Sequence, residues 1–190
     1  FWPHLSVREA TNVFHVTKRK ISEVLGTDLT VYVSGFYRIS PDIELSYDAS
    51  IFSEVLQSSA VASTAESVPL LNQAIALYKG PFLNSLQLDW VKARRQDLLQ
   101  SYTETLAALA KYHEERGENL PALGLYLRAT LTNLQREDLA ASVMRLYRQM
   151  RLHADALVVY DRLVDELTRN FNMKPAPAIQ ELAAAIRAEM

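Results

Sequence analysis

The chain has 190 residues, 49% hydrophobic and 22% charged, a balance that allows a buried core and excludes disordered, collagen-like and membrane-spanning classes. No apolar run approaches the roughly 20 residues of a membrane helix. The opening Phe1-Trp2-Pro3-His4 lacks the basic start and apolar stretch of a secretion signal, so a cytoplasmic protein with no membrane partner is expected. With no cysteine, disulfides, thiolate nucleophiles and cysteine zinc sites are excluded together.

The net charge of −2 is unevenly spread. Residues 1–40 carry five basic side chains (Arg8, Lys18, Arg19, Lys20, Arg38) against three acidic ones (Glu9, Glu23, Asp28), whereas acidic residues are in excess from 41 to 190. Between Arg38 and Lys79 there are five carboxylates and no Lys or Arg. A basic head on an acidic body suits a head that meets phosphate, and the shift places a domain boundary near residue 40.

Ser6 and Glu9 have the spacing of a capping box and predict a short first helix. From Asn12 to Leu25, Phe14, Ile21, Val24 and Leu25 recur at helical steps and predict a second, amphipathic helix meeting the first around Thr11 and Asn12, with Gly26 as its stop. Leu29–Val33 and Phe36–Ile39 are β-branched and aromatic, and Ser34-Gly35 between them predicts a β-hairpin. Helix, helix and hairpin in this order read as a helix-turn-helix with a wing. Beyond Ser40-Pro41-Asp42 almost all signals are helical: Ser46 to Leu56, a loop or loosely packed helix end from Gln57 to Ser67, Pro69 to Tyr78 ending at Gly80-Pro81, and a long helix from Leu88 to about Arg116 stopped by Gly117.

An internal repeat follows. Ala107 and Ala141, Ala122-Leu123 and Ala156-Leu157, Tyr126 and Tyr160, and Arg128 and Arg162 are each 34 residues apart. That is the tetratricopeptide period, two antiparallel helices per unit with a small residue where they cross. Ala122 and Ala156 are expected at the crossings; His113 opposite Tyr147 and Gly117 opposite Arg151 mark the second repeat as degenerate. Asn170 to Pro177 breaks the pattern, and the Ala-rich stretch 178–190, with Ile179, Leu182 and Ile186 on one stripe, is expected to cap the stack.

Residues 1–40, through Phe1-Trp2-Pro3-His4, Glu9-Ala10, Asn12, His15-Val16, Ile21, Leu25-Gly26 and Gly35-Phe36-Tyr37-Arg38-Ile39, resemble the C-terminal half of the winged-helix domain of response regulators and SARP-type antibiotic regulatory proteins. Residues 42 to about 188 resemble the bacterial transcriptional activator domain that follows it in the SARP-type family. That match rests on Asp48-Ala49 with Phe52, Ala76-Leu77-Tyr78-Lys79-Gly80-Pro81-Phe82-Leu83, Asp89-Trp90, Arg94, Arg136-Glu137, Met144-Arg145-Leu146-Tyr147, Ala156-Leu157 with Tyr160, and Pro175. The resemblance implies a mainly α fold: a partial winged helix-turn-helix with a small β-hairpin at 1–40, then a tetratricopeptide-like domain at 41–190. In the family a short β-sheet and a first helix open the winged-helix domain, and neither precedes Phe1. The implied function is that of a DNA-binding transcriptional regulator, with promoter DNA as ligand and the helical domain serving homodimerisation or contacts to RNA polymerase or other domains. A tetratricopeptide adaptor that keeps only a winged-helix remnant is the alternative.

On a helical wheel for 12–25 the core stripe centres on Phe14 and Ile21, leaving Asn12, His15, Arg19 and Glu23 opposite, with Lys18 and Ser22 on a flank. Arg19 suits bidentate contact with guanine, and Asn12 and His15 suit base edges or phosphate. Lys18, Lys20 and Arg38 on the wing suit phosphate. These residues and Ser22 are the candidate DNA contacts. Tyr78, Gly80-Pro81 and Trp90 read as structural, Trp90 as an anchor between the linker helices and the repeats. Arg94, Arg128 and Arg162 read as solvated. No catalytic, metal or cofactor site is expected. The four histidines are scattered, His113-Glu114 lacks the second His of a zinc helix, Asp42, Glu44 and Asp48 lack the Gly and terminal Glu of a calcium loop, and the glycines form no phosphate-binding motif.

Overall fold

Ser6 and Glu9 do form a reciprocal capping box in the computed structural model, which describes residues 1–190: the Ser6 N–H donates to Glu9 Oε2 at 2.9 Å, and the Glu9 N–H donates to Ser6 Oγ at 3.4 Å. The helix it opens is one continuous α1, Val7–Leu25, rather than two helices meeting near Thr11. The stretch holds no Gly or Pro, and the Thr11 hydroxyl bonds back to the Val7 carbonyl at 2.7 Å, so nothing local breaks the ladder. Gly26 ends it in the left-handed region at φ 68°. Strands β1 (Thr30–Val33) and β2 (Phe36–Ile39) pair antiparallel, joined by Ser34 and Gly35, both at positive φ as a tight hairpin turn requires.

Two compact units divide the chain, residues 1–47 and residues 48–190. The second is mainly helical: α2 (Asp48–Val61), α3 (Thr64–Leu77), α4 (Asp89–Glu115), α5 (Asn119–Thr132), α6 (Glu137–Gln149), α7 (His153–Phe171) and α8 (Pro177–Ala188). No helix is long and apolar enough to cross a membrane. Of the two readings for Gln57 to Ser67, a loop or a loosely packed helix end, the helix end holds: α2 runs to Val61 and α3 starts at Thr64. Ser58 and Ser59 donate to the carbonyls of Glu54 and Leu56, which keeps their hydroxyls satisfied inside α2. The Glu66 carboxylate then accepts from the Ser63 N–H and hydroxyl, starting α3.

The 34-residue repeat is present in the backbone itself. α4 ends at Glu115 and α6 at Gln149, while α5 begins at Asn119 and α7 at His153. Both turns are Schellman motifs with the same bonds: the Glu118 N–H reaches the His113 carbonyl and the Leu152 N–H the Tyr147 carbonyl, each at 2.9 Å. The left-handed position is Gly117 in one turn (φ 74°) and Arg151 in the other (φ 59°). The second repeat therefore keeps the geometry without the glycine, at the conformational cost that a side chain carries there.

From α2 onward each helix packs on the next in order, and α8 also touches α6. One apolar cluster runs through α2–α6, with Phe52, Leu98, Leu106, Tyr126 and Leu146; a second joins α6, α7 and α8, with Met144, Leu163, Ile179 and Ile186. Ala122 and Ala156 are 0% exposed. Tyr78 stacks on Tyr102 at 4.2 Å between ring centres, and burial pushes the Tyr78 phenol up.

Three expectations need correction. Trp90 is 47% exposed because the buried stripe of α4 runs through its neighbour Val91, then Leu98, Tyr102, Leu106 and Leu109. Arg128 and Arg94 are engaged rather than simply solvated, donating to the Tyr102 hydroxyl at 2.7 Å and to Ser53 Oγ at 3.3 Å. The sequence reading also passed over Arg95, whose guanidinium donates to the carbonyls of Phe82, Leu83 and Leu86 and so fixes the irregular segment after Gly80-Pro81.

Leu in place of Ala122 or Ala156 should overpack these positions and cost on the order of 1–3 kcal/mol; an unchanged urea midpoint for both variants would remove the crossing assignment. At the turns, a Cβ on Gly117 meets nothing within 4 Å, so Gly117→Ala should cost about 1 kcal/mol through backbone conformation alone. Arg151→Gly, relieving the same constraint, should shift the midpoint upward.

Candidate nucleic-acid interface

The first unit has a thin interior: α1 contains no buried residue, and Phe36, Tyr32 and Val24 stand largely open to solvent. Its organising side chain is Tyr37. From β2 its ring lies 4.9 Å from Phe14 and 4.9 Å from Tyr32, its hydroxyl is 3.4 Å from His15 Nδ1, and Lys18 Nζ lies 5.5 Å from its ring centre. Tyr37 thus ties one face of α1 to the hairpin.

This contact sorts the seven candidate residues. His15 and Lys18 are on the side of α1 that meets Tyr37. Ser22, one turn beyond Lys18, has a buried hydroxyl with no hydrogen-bond partner. Asn12, Arg19 and Lys20 are exposed. Arg19 is not idle, because its Nε lies 3.2 Å from Glu23 Oε1 one turn on, with both side chains more than 60% exposed. Arg38 pairs with Val31 in the hairpin register, whereas Tyr37 pairs with Tyr32. Alternation along a strand therefore puts Arg38 on the face opposite Tyr37, pointing away from α1. The structure brings Asn12 and Arg19 onto one face, sets Lys20 beside it, and leaves Arg38 separate on the wing.

Two participants, Glu23 and Tyr37, are not among the candidate contacts. The i,i+4 spacing of Arg19 and Glu23 is a legible ion-pair signal. Tyr37 carried no comparable signal, since its partners on α1 and β1 are fixed only by the register of the hairpin.

In the helical unit, the residues that might suggest chemistry serve packing. His113 Nδ1 and Glu118 Oε2 are 2.5 Å apart across the α4–α5 turn, and that bond and Arg116 hold the Glu118 carboxyl below its usual range. Glu114 accepts from the Tyr126 hydroxyl at 2.9 Å; burial first, then this bond, push the phenol up to about 12. Arg136 joins Asp138 to Glu104 of α4.

A tetratricopeptide-like stack, with a helix and a β-hairpin before it in the chain, defines the class as a helical-repeat protein. Residues 47–187 match the bacterial transcriptional activator domain, and the chain belongs to that family, a family of transcription regulators. The fold is similar over the whole chain to that of Mycobacterium tuberculosis EmbR, solved in complex with a low-affinity phosphopeptide, with a TM-score of 0.66 and 18% identity. The chain spans 52% of that protein, about half its length. No curated protein matches the sequence.

Tyr37→Ala should release the hairpin from α1, because it removes aromatic contacts worth roughly 0.5–1.5 kcal/mol each. Amide exchange in residues 30–39 should accelerate while that of α4–α7 stays unchanged. Equal protection in mutant and wild type would show that Tyr37 does not organise the unit.

Proposed function

We propose that this chain is part of a DNA-binding transcriptional activator in which α1 is the recognition helix and the β1–β2 hairpin the wing. The observation that carries this reading is the exposed face of α1, with Asn12 and Arg19 and with Lys20 at its edge, beside a hairpin that presents Arg38, in a chain of the transcriptional activator domain family. A helix in the major groove reads bases with its outward polar side chains while basic residues around it meet phosphate. Arg19 and Asn12 are assigned to base edges, His15 to a base edge or phosphate, and Lys18, Lys20 and Arg38 to phosphates. Ser22 lies one turn beyond Lys18 on the flank of this face, its hydroxyl buried and without a hydrogen-bond partner.

Glu23 gives this face a selectivity device. It neutralises Arg19 in the free protein, and a carboxylate near the DNA backbone costs affinity wherever Arg19 finds no better acceptor, so wrong sequences are penalised. The helical domain supplies dimerisation or contacts to polymerase or other protein domains. An apolar groove beside α5, α6 and α7, lined by Leu127, Leu131, Leu134 and Val159, supports a protein-contact role. The adaptor reading predicts a peptide in that groove and no DNA affinity.

The test uses a form of the protein carrying a complete winged-helix domain and DNA selected from a random pool. Affinity should fall steeply with salt. Arg19→Ala should cost about 1–3 kcal/mol and relax base preference at one position, while Lys20→Ala should weaken all sequences alike and lower the salt slope by about one. Glu23→Gln should tighten binding to random DNA more than to the selected site. Salt-insensitive binding, equal for Arg19→Ala and Lys20→Ala, would refute the assignment of α1 to DNA.

A further inference from the structure

The end of α6, the turn into α7 and the residue after α8 enclose a cleft of about 670 Å³ lined by Arg145, Arg148, Gln149, Arg151, His153 and Glu189. Three guanidinium groups and an imidazole thus face a single carboxylate. Arg148 takes that carboxylate through both Nε, at 3.0 Å to each oxygen, and Nη2, and His153 Nε2 lies 3.7 Å from it. Arg145 donates to Ser142 Oγ at 2.9 Å, and Arg151 acts on Glu189 through space without a direct ion pair. Arg151 is also the residue that holds a left-handed backbone conformation where the preceding repeat has glycine. A side chain is kept at this turn despite the cost of placing it there.

Like charges gathered in one cleft repel, and the repulsion is relieved by an anion that reaches several of them at once. A carboxylate such as Glu189 sets one negative charge against three guanidinium groups, bonding Arg148 directly and acting on Arg151 only through space. A phosphate monoester carries up to two negative charges and three acceptor oxygens, enough to engage Arg148 together with Arg145 or Arg151. Glu189 is held in its charged form below the usual carboxylate range, chiefly by Arg148.

We propose that this cleft is a binding site for a phosphate monoester dianion, and that Glu189 is an internal carboxylate that occupies it until the phosphate displaces it. The site belongs to the helical domain and does not depend on the DNA reading of α1. Its phosphate has two chemical sources, a phosphorylated side chain of a protein segment or a small phosphate-bearing metabolite.

The experiment titrates the 190-residue chain, labelled with ¹⁵N, with inorganic phosphate, with a phosphothreonine peptide, and with the same peptide bearing glutamate at that position, reading the guanidinium Nε–H signals of Arg145, Arg148 and Arg151. Phosphate-bearing ligands should shift these signals, the phosphopeptide more tightly than inorganic phosphate if the source is a protein and no more tightly if it is a metabolite. Glu189→Gln should tighten phosphate binding by about tenfold, the factor expected when an internal competitor filling the site about nine-tenths of the time is removed. Arg148 also ties α6 to the end of α8, so Arg151→Gln and Arg145→Gln serve as the loss variants. Each should weaken binding severalfold with an unchanged melting temperature. Shifts with none of the phosphate ligands, equal binding of the glutamate peptide, or no gain from Glu189→Gln would overturn the proposal.

Discussion

Close approach of helix backbones is the constraint on which the helical unit depends. Two helices joined by a three-residue turn come closest where one of them offers a side chain no larger than a methyl, and Ala122 on α5 and Ala156 on α7, both without exposed surface, are suited to that place. The turn must also dispose of the last carbonyls of the first helix. The Schellman bonds at His113 and Tyr147 do so identically, so α5 and α7 leave their turns in the same direction even though one turn has glycine and the other arginine. Repetition of the crossing and the turn generates the stack. Arg95 performs a comparable service where there is no repeat to copy, satisfying three carbonyls of the segment before α4.

Much of this was legible in the sequence, for a physical reason. A 34-residue period is a statement about two helices and two turns, and it survives the loss of individual residues such as the missing glycine at Arg151. The hairpin and the Ser6 box were legible because their signals lie within a few residues. What escaped was decided by side chains that bond backwards onto their own helix. Ser58 and Ser59 belong to a class that favours loops, yet their hydroxyls are satisfied inside α2, and the Thr11 hydroxyl does the same across the expected break in α1. Trp90 escaped because one position of helical phase separates a buried residue from a half-exposed one, and the phase of a 27-residue helix is set by its whole length. At the candidate interface the basic residues were legible by type. Their division by Tyr37 into a hairpin-facing set and an outward set was not, because it depends on the strand register that places Tyr37 opposite Tyr32.

Both basic surfaces of the protein share a feature. Arg19 and Arg148 each have a carboxylate of the same chain within reach, Glu23 one turn along α1 and Glu189 just past α8. A positive surface with its own negative partner does not attract every polyanion in proportion to net charge. Under the two proposals made above, such a surface answers to ligands whose geometry is better than that of the partner already in place, exchanging raw affinity for discrimination.

The helices of the second unit touch almost entirely in chain order, with α8 reaching back only as far as α6. In such an arrangement the contacts that close each loop are short in sequence, and assembly proceeds by adding one hairpin to the face left by the last. A pull on one terminus is therefore resisted by one interface at a time, and extension proceeds in steps of a helical hairpin instead of a single rupture.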